Sequence, residues 1–595
     1  MALGTTLELE NVIEPERKAQ EIARKWVEWD MAKSQIKKNW LEVRNYVFAT
    51  DTTTTTNSKL PWKNKTTTPK LTQIRDNLHA NYMATLFPKR RFLKWEAGSQ
   101  DAANKERKVL LENYSFSLTS HPEFKNVLED LLLDYIDTGN CFVMPDWRDE
   151  NVENSEVVKY GYVGPIPKRI SPYDIVFNPI ASNFRDTPKI IRSMESLGDL
   201  ENKLSQWSKT SDEAEIAKNV LDKLRHYRSQ AYGVEGFVEK DTAYRVDGFE
   251  SFHHYLNSGM VELLYFYGDY YDPEEEKFYK NKKIVVADRC HIVFEGDDPS
   301  PLAKPPIFHA GWRKRPDNLW AMGPLENLVG LQYRIDHVEN VKADVWDLVA
   351  FPVIKKKGYV EKFEWAPFGE IIVDQDGDVQ ILSPDAQALN ANLEINVLEQ
   401  RMEEMAGAPK EAMGFRTPGE KTMYEVQRLE NAASRVFQAK IALFEEHVME
   451  PLINAMIVMA IKYGVDTQIK TIDPEFGAEI WQSISTEDLA IPGRIRPVAA
   501  RHFAEKAQLI QNINTFFQSP MGQDPAVKRH FSGLRTAQMI EDLLELRDYD
   551  LIEPNIAISE ETEAAKLTAN AQEDVFAMSQ TPSPFEPPNL PPVEQ

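Results

Sequence analysis

Residues 323–352 read GPLENLVGLQYRIDHVENVKADVWDLVAFP. After the Gly323-Pro324 opening, Leu328, Leu331, Ile335, Val338, Val341, Val345 and Leu348 recur at spacings of three and four. That spacing predicts one long helix over residues 325–348. Phe351-Pro352 ends it, because the residue before a proline is biased out of the α region. A compact β segment is expected over 353–382, with Asp376-Gly377 as the turn of a hairpin between 371–373 and 379–382. Residues 385–405 are helical again. Gly407-Ala408-Pro409 and the stretch from Gly414 to Gly419 mark a loop, and 420–463 reads as a very long helix with Pro451 inside it. Such a proline should kink the helix and free a carbonyl. Two antiparallel helices flanking one β module place that module at the tip of a stalk, an unusual order for an enzyme. The alternative is an ordinary α+β domain with a hairpin inserted between helices.

Working outward, residues 14–47 read as helix, with Ile22, Trp26, Trp29, Ile36, Trp40, Val43 and Val47 on its apolar face. Residues 51–68, carrying Thr52–Thr56 and Thr66–Thr68, read as a long loop or flexible excursion. Helices are expected at 71–86, 105–120 and 124–137, the last ended by Gly139. From Cys141 the texture changes to short strands at 141–144, 157–163, 175–177 and 190–193, then 261–267, 283–287 and 291–295. A charged helical insertion occupies 200–228, and 269–281 reads as a long acidic-aromatic hairpin loop. Beyond the long helix come a β-rich return at 491–498, helices at 504–517 and 536–546, and a proline-rich disordered tail. The pattern predicts an α+β chain, predominantly α-helical.

Composition narrows the function. The chain has 595 residues, 69 Lys plus Arg against 93 Asp plus Glu, and a formal net charge of −24. A protein that grips duplex DNA over a broad face should be basic, since phosphate neutralisation supplies most of that affinity. Two cysteines, Cys141 and Cys290, exclude a disulfide-dense scaffold and point to a reduced compartment. Residues 1–10 carry two glutamates and no basic run, so no signal peptide is expected, and the most apolar stretch, 452–461, is half the length of a membrane span.

Several enzyme signatures fail on spacing. Gly414-Phe-Arg-Thr-Pro-Gly419-Glu420-Lys421-Thr422 has one residue too many for a phosphate-binding loop, because Glu420 separates the glycine from the lysine. Asp374-Gln-Asp376-Gly377-Asp378 puts its glycine at the fourth position of a calcium loop where the sixth is required. His253 and His254 are adjacent, so on a strand they point to opposite faces. Cys141 and Cys290 lack a Cys-x-x-Cys partner and read as small buried hydrophobes. No catalytic residue, metal site or cofactor is expected.

Four stretches carry a family resemblance. They are Asn77-Leu-His-Ala-Asn-Tyr-Met-Ala-Thr-Leu-Phe-Pro88, Ile170-Ser-Pro-Tyr-Asp-Ile-Val-Phe-Asn-Pro179, Gln332-Tyr-Arg-Ile-Asp336 with Asn340 through Pro352, and Glu425-Val-Gln-Arg-Leu-Glu-Asn431 leading to Phe444-Glu-Glu446 and Pro451. In this order, over about residues 70–500, the chain resembles the portal proteins (head-to-tail connectors) of short-tailed, podovirus-like bacteriophages. The resemblance implies a portal-type architecture: wing 1–317, first stem helix 318–350, clip 351–384, second stem helix 385–409, tunnel loop 410–421, kinked helix and wing return 422–500, crown 501–560 and a disordered tail 561–595.

It also implies a dodecameric ring at one capsid vertex, assembled in the host cytoplasm and built into the virion. Double-stranded DNA would enter and leave through that ring. Its partners would be the large terminase subunit, head–tail adaptor and tail proteins, and the major capsid and scaffold proteins, with no membrane. The ATPase belongs to the motor, so the chain itself is expected to be no enzyme. An acidic conduit suits sliding DNA, since each neutralised phosphate adds salt-sensitive drag. Lys355, Lys356, Lys357 and Lys362 in the clip, and Lys410, Arg416 and Lys421 at the tunnel loop, are the candidates for contact with DNA or, in the clip, with the motor. A solvated surface lysine or a subunit–subunit ion pair is the competing reading of each. A nuclease or NTPase of similar size, or another virion scaffold or adaptor, is the alternative for the whole chain.

Overall fold

A computed structural model describes residues 17–87, 92–97, 105–149, 162–207, 218–219, 221–222, 260–272, 276–297, 302, 304–350, 353–357, 379–382, 391–406, 437–464, 467–472, 479–490 and 493–497. Its helices are α1 (Arg17–Ala32), α2 (Ser34–Val47), α3 (Lys70–Leu86), α4 (Lys105–Ser120), α5 (Pro122–Asp137), α6 (Leu197–Trp207), α7 (Val329–Ala350), α8 (Asn392–Ala406) and α9 (Glu450–Tyr463). The strands begin with β1 (Leu93–Ala97), β2 (Asn140–Asp149), β3 (Val163–Ile170), β4 (Ile175–Phe177), β5 (Lys189–Ser196), β6 (Met260–Asp272), β7 (Lys277–Ala287) and β8 (His291–Asp297). They continue with β9 (Phe308–Gly311), β10 (Arg313–Arg315), β11 (Asn318–Met322), β12 (Val353–Lys356), β13 (Val379–Leu382), β14 (Thr467–Ile472), β15 (Glu479–Ile484) and β16 (Gly493–Pro497). The chain divides into two compact units, Met1–Ile469 with Gln482–Arg501, and Lys470–Trp481 with His502–Gln595. Of the second, the described residues are the ends of β14 and β15. The expected helices at 504–517 and 536–546, the 501–560 crown and the tail lie outside the described residues.

The expectation of a predominantly α-helical, portal-type architecture is corrected. Among the described residues sixteen strands form six sheets beside the helices, which makes the molecule mixed α/β. The largest sheet has five strands in the order β4-β5-β6-β7-β8, antiparallel throughout. β4 spans its expected residues, and β5 to β8 run longer than theirs. Within 269–281, expected to be a hairpin loop, the two arms pair farther than expected: Tyr270 faces Tyr279, Tyr271 faces Phe278 and Asp272 faces Lys277. Aromatic and opposite-charge cross-strand pairs stabilise a ladder that the acidic residues alone would disfavour.

Both faces of this sheet are covered. Leu264, Phe266, Ile284 and Val286 pack with Ile22 and Trp26 of α1, while Leu263, Tyr265, Tyr267 and Val285 pack with Trp40, Phe142 and Trp320. Alternate residues go to opposite faces of a strand, so two apolar coverings require an unbroken apolar run. The smaller β3-β2-β9 sheet leaves β3 at an edge. There Pro165 and Pro167, two residues apart, turn both missing N–H positions to one side, as an edge strand tolerates.

The expected single helix 14–47 breaks at Lys33. That side chain is fully buried, and its ammonium donates to the carbonyls of Pro172, Tyr173 and Ile175 at 3.1, 3.0 and 2.8 Å. Lys189 is almost as deeply buried. It donates to Thr187 O (2.8 Å) and lies 4.5 Å from the centre of the Phe184 ring, and burial pulls its ammonium down to about 7. The unfolded chain therefore binds more protons between about pH 7 and pH 10, so stability rises with pH across that window and the burial penalty is complete below it. Lys189→Met is expected to gain on the wild type at pH 6 relative to pH 9.5, by on the order of 2 kcal/mol. Urea midpoints at the two pH values measure this, and a difference that does not change with pH would refute it.

Candidate functional site: the helix–hairpin–helix module

The inner half of α7 is built into the largest core. Ile335 and Val338 are buried with Leu325 and Leu328 of the preceding turn. Beyond Asn340 no residue of the helix is fully buried, and Trp346 and Leu348 are 55% and 40% exposed. The 22 residues span about 33 Å, so the helix carries the chain well away from its root. Two residues later β12 begins and pairs antiparallel with β13: Val353 faces Leu382, Ile354 faces Ile381, Lys355 faces Gln380 and Lys356 faces Val379. The chain returns through α8, whose Ile395, Leu398, Met402 and Ala406 are buried in the same core. Leu393 and Val397, on the other side of α8, are 76% and 47% exposed, and Met405, beside the buried Leu398 stripe, is 49% exposed.

Polar contacts tie the two helices together. Arg334 Nη2 lies 3.0 Å from Glu394 Oε1, and Lys342 Nζ donates to Asn392 Oδ1 at 2.7 Å. Lys70, at the start of α3, buries its ammonium against Glu403 Oε1 at 2.7 Å. The described side chains of the hairpin strands, Ile354, Lys355, Lys356 and Gln380, belong to none of the three buried apolar clusters.

Of the expected contact residues, Lys355, Lys356 and Lys357 are exposed on β12 and just past its end. Successive side chains alternate along a strand, so Lys356 points away from the face of Lys355. Lys362, Lys410, Arg416 and Lys421, with the Asp376-Gly377 turn, lie outside the described residues. Pro451 occupies the second position of α9, directly after a π turn at Glu445–Met449 in which Glu450 N–H donates to Glu445 O. A proline cannot donate to the carbonyl four residues back, and the wider turn absorbs the mismatch. Asn454, one turn on, accepts Ile495 N–H at 2.8 Å and donates to Ile495 O at 2.9 Å, pinning β16 to α9.

Sequence reasoning missed the polar row Gln332, Asp336, Asn340 and Asp344 on α7. It was visible as amides and carboxylates at constant spacing of four on a helix read for its apolar repeat. Burial pushes the Asp336 carboxyl above the usual carboxylate range, against the pull of Thr68 N–H, the Thr67 hydroxyl and Gln332. At Asp344 burial acts the same way, but the N–H groups of Asn64 and Lys63 outweigh it and hold the carboxyl low.

Among the described residues no group of three or more His, Cys, Asp or Glu is placed to hold a metal ion, and no helix is long and apolar enough to cross a membrane. No protein-family model matches the chain, and no curated protein matches it.

Proposed function

We propose that this chain assembles into a dodecameric ring at one vertex of a tailed-bacteriophage capsid and serves there as the conduit for the genome. In this reading double-stranded DNA passes through the ring, the packaging motor docks on it, and head–tail adaptor and tail proteins later take the motor's place. The observation that carries the proposal is the helix–hairpin–helix module. Two cross-braced antiparallel helices carry a lysine-bearing hairpin away from the core, and both leave large apolar side chains uncovered. Trp346, Leu348, Leu393, Val397 and Met405 are exposed apolar side chains that a neighbouring copy would cover. In a ring each copy covers the next, and a heterologous contact of this kind closes into a cycle. The lysines of the hairpin end then stand together, so a few of them face passing phosphates or an acidic docking partner without a broad grip on DNA.

The test is the double variant Trp346→Glu with Leu393→Glu. Both side chains are exposed in the single chain, so its stability should stay within about 0.5 kcal/mol of wild type. Sedimentation velocity and negative-stain microscopy should show rings for the wild type and single chains for the variant. Rings of unchanged size from the variant, or none from the wild type, would remove the proposal.

A further inference from the structure

Facing the polar row of α7, residues 63–68 are held through their main chain. Asp344 accepts the N–H groups of Lys63 and Asn64, each at 3.0 Å. Asn340 accepts Thr66 N–H at 2.8 Å and donates to Thr66 O at 2.6 Å. Asp336 accepts Thr68 N–H at 3.0 Å, and Gln332 donates to Thr68 O at 2.6 Å and accepts Leu71 N–H at 3.1 Å. Residue 344 thus meets 64, 340 meets 66 and 336 meets 68, with the two segments antiparallel.

The register has a geometric basis. Four helical residues rise about 6.0 Å and two extended residues about 6.6–6.8 Å, so a row spaced by four on a helix matches every second residue of a strand. Lys65, between two bound residues, turns its carbonyl the other way, to Thr52 N–H at 3.0 Å. Amides alternate with carboxylates along the row. Asn340 and Gln332 read an N–H and a C=O together, whereas Asp336 and Asp344 only accept, and a slip of one residue would turn the main-chain groups away from the row, as the carbonyl of Lys65 is turned.

The threonine side chains contribute little to this. Thr66 is exposed, and of Thr66, Thr67 and Thr68 it is the Thr67 hydroxyl that reaches the row, at Asp336 (2.9 Å). Buried Trp62, its ring 5.0 Å from that of His337, and Asn57, which donates to Tyr333 O at 3.3 Å, anchor the segment upstream. Charge favours the seating as well. The segment brings Lys59, Lys63 and Lys65, and α7 presents Asp336, Glu339, Asp344 and Asp347 against Arg334 and Lys342.

We propose that Gln332, Asp336, Asn340 and Asp344 form a docking site for an extended polypeptide main chain, filled in cis by residues 63–68, and that this strap is a latch holding the outer half of α7 to the body. Asp344 and Asn64 bind beyond the last buried residue of the helix, and Asn64 Nδ2 reaches on to Asp347 at 3.1 Å. The strap therefore grips the part of α7 that carries the hairpin and the exposed Trp346. The latch deepens the ring reading by naming what positions the assembling surface, but its test needs no ring.

Hydrogen exchange on the wild-type chain should show amides 64, 66 and 68 protected above 65 and 67, the alternation that main-chain docking requires. In limited trypsinolysis, Asn340→Leu should speed cleavage after Lys59, Lys63 and Lys65, and Thr66→Pro, which makes the Lys65 bond resistant to trypsin, should speed it after Lys59 and Lys63, each by roughly tenfold or more, since cleavage follows the open population. Thr66→Val keeps the N–H and the extended preference and should cleave at the wild-type rate. Uniform exchange across 64–68, a wild-type rate in either releasing variant, or a fast rate in Thr66→Val would each overturn the latch. Sedimentation of the same variants reports ring formation separately, so the latch and the ring reading can fail independently.

Discussion

Replacing residues 353–382 with a short Gly-Ser linker is expected to abolish ring formation completely while the rest of the chain stays folded. A two-stranded hairpin is marginal by itself and depends on what it packs against. Here Ile354, the described apolar side chain of β12 and β13, belongs to none of the three buried clusters around Ile335, Trp320 and Trp26. The clamp of Lys70 on Glu403 and the Arg334–Glu394 bridge lie on the retained helices. The deletion should therefore melt within a few degrees of the wild type, sediment as a single chain and give no packaging in a reconstituted capsid system. A deletion variant that still forms rings would show that the hairpin is no part of the assembling surface. Global unfolding would show that it belongs to the core.

The second large effect is expected at Gly139, where α5 turns into β2. Its φ is +74°, and its carbonyl accepts Trp312 N–H at 2.8 Å. A Cβ there would lie 2.7 Å from Gly323 Cα and nearer still to Gly323 N, so the side chain would strike backbone that cannot swing away. The left-handed conformation alone costs an alanine about 1–2 kcal/mol, and the clash with a second chain segment should take the total above about 4 kcal/mol. Gly139→Ala should therefore fail to give soluble folded protein at 37 °C. Gly330, on α7, is the control: nothing lies within 4 Å of the point where a Cβ would stand. There alanine should raise stability by up to about 1 kcal/mol through helix propensity. Equal thermal melting of the two variants would refute the argument.

Gly139 also shows how far local signals reach. The sequence identifies it as the end of a helix, and the structure places it there. That it must also clear the backbone at Gly323, which opens the run into α7, depends on a contact between positions far apart in the chain. How far the two arms of the 269–281 hairpin stay paired escapes a local reading for a related reason. Asp, Glu, Pro and Tyr in one segment look like a loop until Tyr270 meets Tyr279 and Asp272 meets Lys277 across a ladder.

The amino-acid sequence alone determined the elements whose signal is local. The apolar repeat from Leu328 to Leu348 set α7, Phe87-Pro88 ended α3, Gly139 ended α5, and the β-rich texture after Cys141 located β4 and parts of β2 and β5 to β8, though not β3 or β9 to β11. In each, neighbours within one turn or one strand decide the backbone, so spacing and composition suffice. Tertiary structure decided the rest. It broke the first helix at Lys33, whose ammonium is taken by carbonyls some 140 residues away, and it lengthened the strands until the chain became mixed α/β. It turned a threonine-rich excursion into a strap seated on Gln332, Asp336, Asn340 and Asp344. Side chains that bind another segment's main chain recognise N–H and C=O groups common to nearly every residue, so no pattern in the strap announces them. Only the fold brings the row and the strap together.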